Sequence, residues 1–221
     1  MIYAIGDIHG CLSALTNLMA QLPLKPEDEL VFLGDYIDRG PESKGVLDFL
    51  IANKKPNWRF LRGNHEQLML AWLATPNVST SANWRLNGGQ QTLESYLPKE
   101  KLDAVSSEEA HHLLLFCIPD AHLEFLNKAL LTYETPDFFF SHAGINLDNP
   151  LNAQEPEDLL WIRRKFIQDA RPTPKLVIYG HTPVKEIDLS KDRINLDTGC
   201  VYGGFLTAIS LPDKKIYQVK C

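Results

Sequence analysis

Short apolar runs at 2–5, 30–33 and 58–61 each stop at a polar cluster containing glycine, and each cluster leads into apolar residues at helical spacing. In the first unit Leu12, Leu15, Leu18, Met19 and Leu22 mark one face of a helix over 11–21, closed by Pro23 and Pro26. In the second, Val46, Leu47, Leu50 and Ile51 mark a helix over 43–53. A third helix begins near Glu66 and stops before Pro76. Strand, polar loop and helix, three times over, predict an α/β domain with a parallel or mixed sheet.

The rhythm breaks over 76–128. Residues 76–81 read as a turn, Asn87-Gly88-Gly89 as another, and short helical pieces surround Trp84 and cover 93–97, 107–116 and 122–128. This stretch reads as a small, mainly helical insertion over the site, within a single domain spanning 1–221. His111, His112 and His122 have no motif around them and read as a solvated helix face. Strands at 129–133 and 137–140 flank Thr135-Pro136 as a hairpin, and a helix covers 158–167. Further strands follow at 175–179, 193–196, 205–210 and 216–219.

The chain has 221 residues, 44% hydrophobic and 23% charged, which suits one sizeable globular domain. A net charge of −6 argues against nucleic acid as a partner held by charge alone. No apolar run approaches the ~20 residues of a membrane span, and the N-terminal run lacks the basic start of a signal peptide. A cytoplasmic protein without a membrane partner is expected. Cys11, Cys117, Cys200 and Cys221 lie far apart without a Cys-x-x-Cys pair. They read as small buried side chains in a reducing compartment, not as a disulfide scaffold or a thiolate metal site.

In sheets of this kind, ligands gather where strands end. The strand ends offer Asp7, His9, Asp35, Asn64, His142 and His181. Singly, each has an ordinary reading as a turn acid, a helix cap or an interior histidine. Together they form a mixed nitrogen and oxygen donor set of the kind that favours Mn²⁺, Fe or Zn²⁺. Six ligands exceed one tetrahedral site with an open position and suit two ions that share a carboxylate. Two metals ~3.5–4 Å apart make hydroxide available near neutral pH and take up charge on phosphoryl oxygens. An arginine can bind the remaining oxygens bidentately. His65, beside Asn64, and Asp38, on the Asp35 loop, form a natural pair for protonating a leaving alkoxide.

Gly6-Asp7-Ile8-His9-Gly10, Gly34-Asp35-Tyr36-Ile37-Asp38-Arg39-Gly40, Arg62-Gly63-Asn64-His65-Glu66, Ser141-His142-Ala143-Gly144 and Gly180-His181-Thr182 follow one another in this order. Over about 2–210 the chain resembles the calcineurin-like metallophosphoesterases, and more narrowly their phosphoprotein phosphatase branch. That branch includes bacterial and phage serine/threonine phosphatases and symmetrical diadenosine tetraphosphatases. The resemblance implies a central β-sandwich of mixed sheets flanked by helices. It implies two divalent ions, Mn²⁺ first, with Asp7, His9 and Asp35 on one and Asp35, Asn64, His142 and His181 on the other. His65 would protonate the leaving group, oriented by Asp38, and Arg39 would bind phosphate. A second phosphate-binding arginine follows a tryptophan in the family. In Trp161-Ile162-Arg163-Arg164 this is Arg163, with Arg164 open.

The function so implied is hydrolysis of phosphoserine and phosphothreonine in proteins or peptides, extending to phosphotyrosine, through a metal-bridging hydroxide. The alternative is symmetrical cleavage of a dinucleoside polyphosphate. A non-catalytic scaffold is a remote third reading, since every expected position is filled. A dinucleotide pocket needs aromatic rings for base stacking, and Trp84 and Tyr96 suit that task and core packing equally. Tyr202 suits a pocket wall or packing, and Asn87-Gly88-Gly89 a substrate contact or a plain turn.

Overall fold

Alternate side chains along the strands face opposite ways, and here they sort into three separate cores. The computed structural model describes residues 1–190 and 192–221. The first three units are β1 (Ile2–Ile5), α1 (Leu12–Gln21), β2 (Glu29–Phe32), α2 (Ser43–Asn53), β3 (Trp58–Phe60) and α3 (Asn64–Ala74). The helical stretch is α4 (Val78–Trp84), a kinked turn over Arg85–Gly89, α5 (Gln90–Tyr96), α6 (Lys99–Asp103), α7 (Ser107–Cys117) and α8 (Asp120–Lys128). Then come β4 (Thr132–Glu134), β5 (Phe138–Ser141), α9 (Pro156–Trp161), α10 (Arg164–Ile167), β6 (Leu176–Tyr179), β7 (Arg193–Asn195), β8 (Asp197–Thr198), β9 (Phe205–Leu211) and β10 (Lys215–Lys220).

One sheet runs β10-β9-β1-β2-β3, with β8 also on β9; the other runs β4-β5-β6-β7. β1, β2 and β3 are parallel, as are β5, β6 and β7, while β9, β10 and β4 add antiparallel pairs. Both sheets are therefore mixed. Ala4, Val31 and Leu33 from one sheet meet Phe140, Ile178 and Ile194 from the other in the core between them. Tyr3, Ile5, Leu30 and Phe32 face outward onto α1, α2, α3 and the helical stretch. Phe139, Val177 and Tyr179 face the other way, onto Leu159, Ile162 and Phe166 of α9 and α10 and the residues between them. The result is helices, sheet, sheet, helices, the expected sandwich.

Several local expectations need correction. Residues 76–81 are no turn: Asn77 and Thr80 exchange side-chain and backbone hydrogen bonds and cap α4, a capping box in all but its usual residue types. The helix expected over 158–167 is two, because Arg163 leaves helical geometry (φ −132°, ψ −102°). α6 and β8 are too short to carry a readable period. His111 and His122 are buried, not solvated: one ring faces the Leu73 carbonyl, the other lies between the Tyr96 hydroxyl and Asp48. Cys200 and Cys221 are joined in a disulfide, while Cys11 and Cys117 are free. Among the described residues, no helix is long and apolar enough to cross a membrane.

Phe140, fully buried between the sheets, tests this layering against Phe116, which is 91% exposed on α7. Phe140→Ala should cost roughly 3–5 kcal/mol in denaturant unfolding, and Phe116→Ala within about 0.5 kcal/mol of nothing. Equal losses would contradict the placement of the inter-sheet core.

Candidate active site

The polar clusters at the ends of β1, β2, β3, β5 and β6 converge at one edge of the sandwich. Their backbone is unusual. Among the described residues, six that are not glycine take left-handed φ, and five are His9 (46°), Asp35 (51°), Asp38 (70°), Arg39 (68°) and His181 (69°). Each such residue costs on the order of 1–3 kcal/mol and persists only where its surroundings fix it.

Glu66 supplies much of that fixing. Its buried carboxylate accepts the backbone N–H groups of Asp35 and Gly63 on Oε2, each at 2.8 Å, and of Tyr36 (2.8 Å) and Ile37 (3.3 Å) on Oε1. The second and third loops are thereby tied to one side chain. Burial and the nearby Asp35 charge push the Glu66 carboxyl up to about 7, against four donors that favour the ionised form. The Tyr36 hydroxyl adds a hydrogen bond to the Leu61 carbonyl (2.6 Å). Two glycines let carboxylates come close: a Cβ would stand 2.1 Å from Asp35 Oδ1 at Gly63, and 2.1 Å from Asp7 Oδ1 at Gly180.

All six donor residues expected from the sequence are buried. His9, Asp35 and His65 bring ligand atoms within 4.8 Å of one another, and so do Asp35, His142 and His181, with Asp35 common to both groups. Burial pushes the His9 imidazole down to about 3 and His181 to about 2, and lowers His142 as well. Neutral rings result, each able to offer a lone pair. Burial raises Asp35, but its histidine neighbours, with His65 the one that holds its proton, outweigh it and keep its carboxyl below the usual range.

Several observations fit this set to cations. Asp7 Oδ1 and His181 Nε2 are buried without a hydrogen-bond partner. His142 Nδ1 faces the Leu33 carbonyl at 2.9 Å, which leaves Nε2 as a lone pair 2.9 Å from Asn64 Oδ1, acceptor against acceptor. A cation relieves that opposition. His9 repeats the pattern: Nδ1 faces the Ile37 carbonyl (2.9 Å), and Nε2 accepts from the Arg39 guanidinium (2.7 Å), a positive group on the nitrogen that would ligate.

His65 and Asp38 form the expected pair, Nδ1 to Oδ2 at 2.8 Å. Burial would lower the His65 imidazole, but the Asp35 charge and the Asp38 hydrogen bond outweigh it and raise it. Asp38 also accepts the Trp84 indole N–H (2.9 Å) and the Thr92 hydroxyl (2.6 Å). These partners come from the helical stretch and were not anticipated. Trp84 is wholly buried and cannot stack on a base; Tyr96 is partly buried against the core, with its hydroxyl bound to His122. Gly88 accepts the Arg39 backbone N–H through its carbonyl (3.0 Å), so the glycine turn braces the Asp38–Arg39 loop from behind.

Arg163 lies exposed at the break between α9 and α10, and its charge bears on His142, His181 and Asp197. Arg164 opens α10. Arg62, with no site role expected, binds the Gln67 side chain and the Leu126 and Asn127 carbonyls under the third loop. Asp197 was missed. It is buried, its carboxyl is pushed up to about 6 chiefly by burial, and its charge bears on Asp7. The signal was the strand end at 193–196 and the Asp197-Thr198-Gly199 that follows it.

A double sheet with a buried histidine and carboxylate cluster at one edge is the arrangement of a metal-dependent phosphoesterase. Residues 1–208 match the calcineurin-like phosphoesterases, and the chain belongs to that family. It is similar to proteins named bis(5'-nucleosyl)-tetraphosphatase PrpE [asymmetrical]. The one from Bacillus thuringiensis (strain Al Hakam) is 28% identical, covering 97% of this chain and 92% of its own. The one from Anoxybacillus flavithermus is 29% identical, covering 99% and 94%. Among solved structures, a protein assigned as a diadenosine tetraphosphatase superposes with a TM-score of 0.70 at 23% identity over 99% of this chain and 92% of that one. A serine/threonine phosphatase from Saccharomyces cerevisiae superposes at 0.59 with 15% identity, over 100% and 79%. At such identities the structures support the fold alone.

Glu66→Gln would turn an amide N–H₂ toward backbone donors and leave some of them unpaired. A loss of about 2–3 kcal/mol is expected, read as a fall of roughly 4–12 °C in the thermal midpoint. A wild-type midpoint would remove Glu66 as the tie between the loops.

Proposed function

We propose that the protein hydrolyses dinucleoside polyphosphates, cutting asymmetrically to a nucleoside triphosphate and a nucleoside monophosphate. One observation carries this reading: relatives aligned along nearly the whole of both chains bear the name of that activity. The sequence-based preference for phosphoproteins gives way to its alternative, and the symmetrical cut in that alternative gives way to an asymmetrical one.

Asp7, His9 and Asp35 would hold one divalent ion and Asp35, Asn64, His142 and His181 a second, with Asp35 shared. The mixed donors suit Mn²⁺, and Fe or Zn²⁺ as well. When bound, two such ions lower the pKa of water and neutralise charge on phosphoryl oxygens. The chain's own residues do the rest. Arg39 and Arg163 grip non-bridging oxygens and hold the phosphorus in line. His65 donates a proton from Nε2 toward the departing oxygen, and Asp38, held by Trp84 and Thr92, keeps Nδ1–H pointed away. The helical insertion over 76–128 thus positions the acid.

The leaving group sets how much that acid matters. A polyphosphate leaves as a weak base, whereas a serine side chain leaves as a strongly basic alkoxide. The well-satisfied His65–Asp38 pair therefore favours monoester hydrolysis as a second activity of the same centre.

With Mn²⁺ added, anion-exchange chromatography of diadenosine tetraphosphate digests should give ATP and AMP in equal amounts. Two equivalents of ADP would reverse the symmetry assigned here, and an intact substrate alongside rapid phosphopeptide turnover would return the reading to a protein phosphatase. His65→Asn should lower phosphoserine-peptide turnover by ~10²–10⁴-fold and lower anhydride turnover by a smaller factor. Equal losses on both substrates would remove His65 as the proton donor.

A further inference from the structure

Beside the phosphate-facing loop lies an open cleft of about 370 Å³ lined by Arg39, Leu86, Asn87, Gly88, Gln91 and Tyr202. That volume is within the ordinary range for a small-molecule site. Its two apolar walls are unusually bare: Tyr202 is 64% exposed and Leu86 is 87% exposed. Large apolar side chains so placed on opposite elements, one on the Arg85–Gly89 kink and one on the Cys200–Tyr202 turn, are positioned to meet a flat group entering between them.

Three features argue for a nucleobase. The Arg39 guanidinium lies over the Tyr202 ring, 5.7 Å from its centre, so a phosphate chain on Arg39 delivers its nucleoside directly to the ring. Gln91 sets a carboxamide in the same cleft, a group that can pair with the hydrogen-bonding edge of a base, while the Asn87 amide donates to Asn83 and keeps its Oδ1 as an acceptor. The walls are also held in place. Gly88 carries the kink against the Arg39 backbone, and the Cys200–Cys221 disulfide pins the turn that presents Tyr202 to the end of β10. A preorganised aromatic platform next to a phosphate grip is what a nucleoside polyphosphate requires.

We infer that one nucleoside of the substrate stacks on Tyr202 and is closed in by Leu86, making this cleft the base-binding subsite and Tyr202 a specificity-determining residue. The inference rests on the dinucleoside polyphosphate reading and adds to it the residues that recognise the nucleoside.

The test is binding, measured by titration calorimetry of AMP and of inorganic phosphate on the Mn²⁺-loaded protein. The wild type should bind AMP more tightly than phosphate. In Tyr202→Ala the ratio of the two affinities should fall about 10–100-fold, the scale of base stacking on an aromatic side chain, while Tyr202→Phe should hold it within about threefold. Tyr202 is exposed, so loss of the ring leaves the fold standing, and a circular dichroism melt checks that. An unchanged ratio in Tyr202→Ala, or a wild type that binds AMP no better than phosphate, overturns the subsite. Neither result touches the hydrolase reading, which stands or falls on the products of diadenosine tetraphosphate; a wild type that binds AMP as expected but leaves that substrate intact would sink the hydrolase reading and keep the subsite.

Discussion

One buried carboxylate holds the site together. Glu66 gathers four backbone N–H groups from two loops that leave different strands, and those loops carry Asp35, Asp38, Arg39, Asn64 and His65. Without it, the left-handed backbone at Asp35 would have few local reasons to persist, whereas Asp38 and Arg39 are held by Ser43, Thr92 and Gly88. The strain and the crowded carboxylates are unfavourable taken alone. They are tolerable because the loops are short extensions of strands clamped between three apolar cores. Stability resides in the sandwich, and the site draws on it.

The helical stretch has a second mechanical role. Trp84 and Thr92 end on Asp38, and the Gly88 carbonyl ends on the Arg39 backbone. The His65–Asp38 pair and Arg39 are thus set from the same segment that forms one wall of the cleft. Trp84, Gly88 and Thr92 are constrained by the chemistry behind them. Leu86, between them in the chain, is exposed and lines the cleft. A segment of this design can change what is recognised without disturbing how the phosphorus is attacked.

Most of the frame was legible in the sequence because period and punctuation agree there. β1, α2 and the ends of α1 fall within a residue of the spacing of their apolar positions, and the site loops were located by topology alone. What escaped depends on partners remote in sequence. Nothing local in Trp84 tells an indole that binds Asp38 from one that stacks on a base. His122 reads as a surface residue until Asp48 and Tyr96 are brought to it. Cys200 and Cys221 share no motif, and only the pairing of β9 with β10 brings them together. Other misses were readable. Glu66 stands at the third position of α3, where a carboxylate caps the helix start, and Asn77 with Thr80 marks the next helix in a similar way.

Chemistry and recognition are separated over a very short length of chain. Asp197 turns its charge toward Asp7 at the centre, and Tyr202, at the far end of the same turn, opens to solvent beside Arg39. The centre senses a phosphorus and its leaving oxygen, which a phosphoserine and a phosphoanhydride present alike. It cannot by itself choose between them. A choice has to come from groups that touch what lies beyond the phosphate, and the exposed ring of Tyr202 lies against the guanidinium. Because Arg39 contacts both His9 and that ring, an anion arriving on the guanidinium perturbs the centre and the rim together. On the proposed reading, substrate discrimination would therefore rest on one arginine's two neighbours, not on the metal ligands.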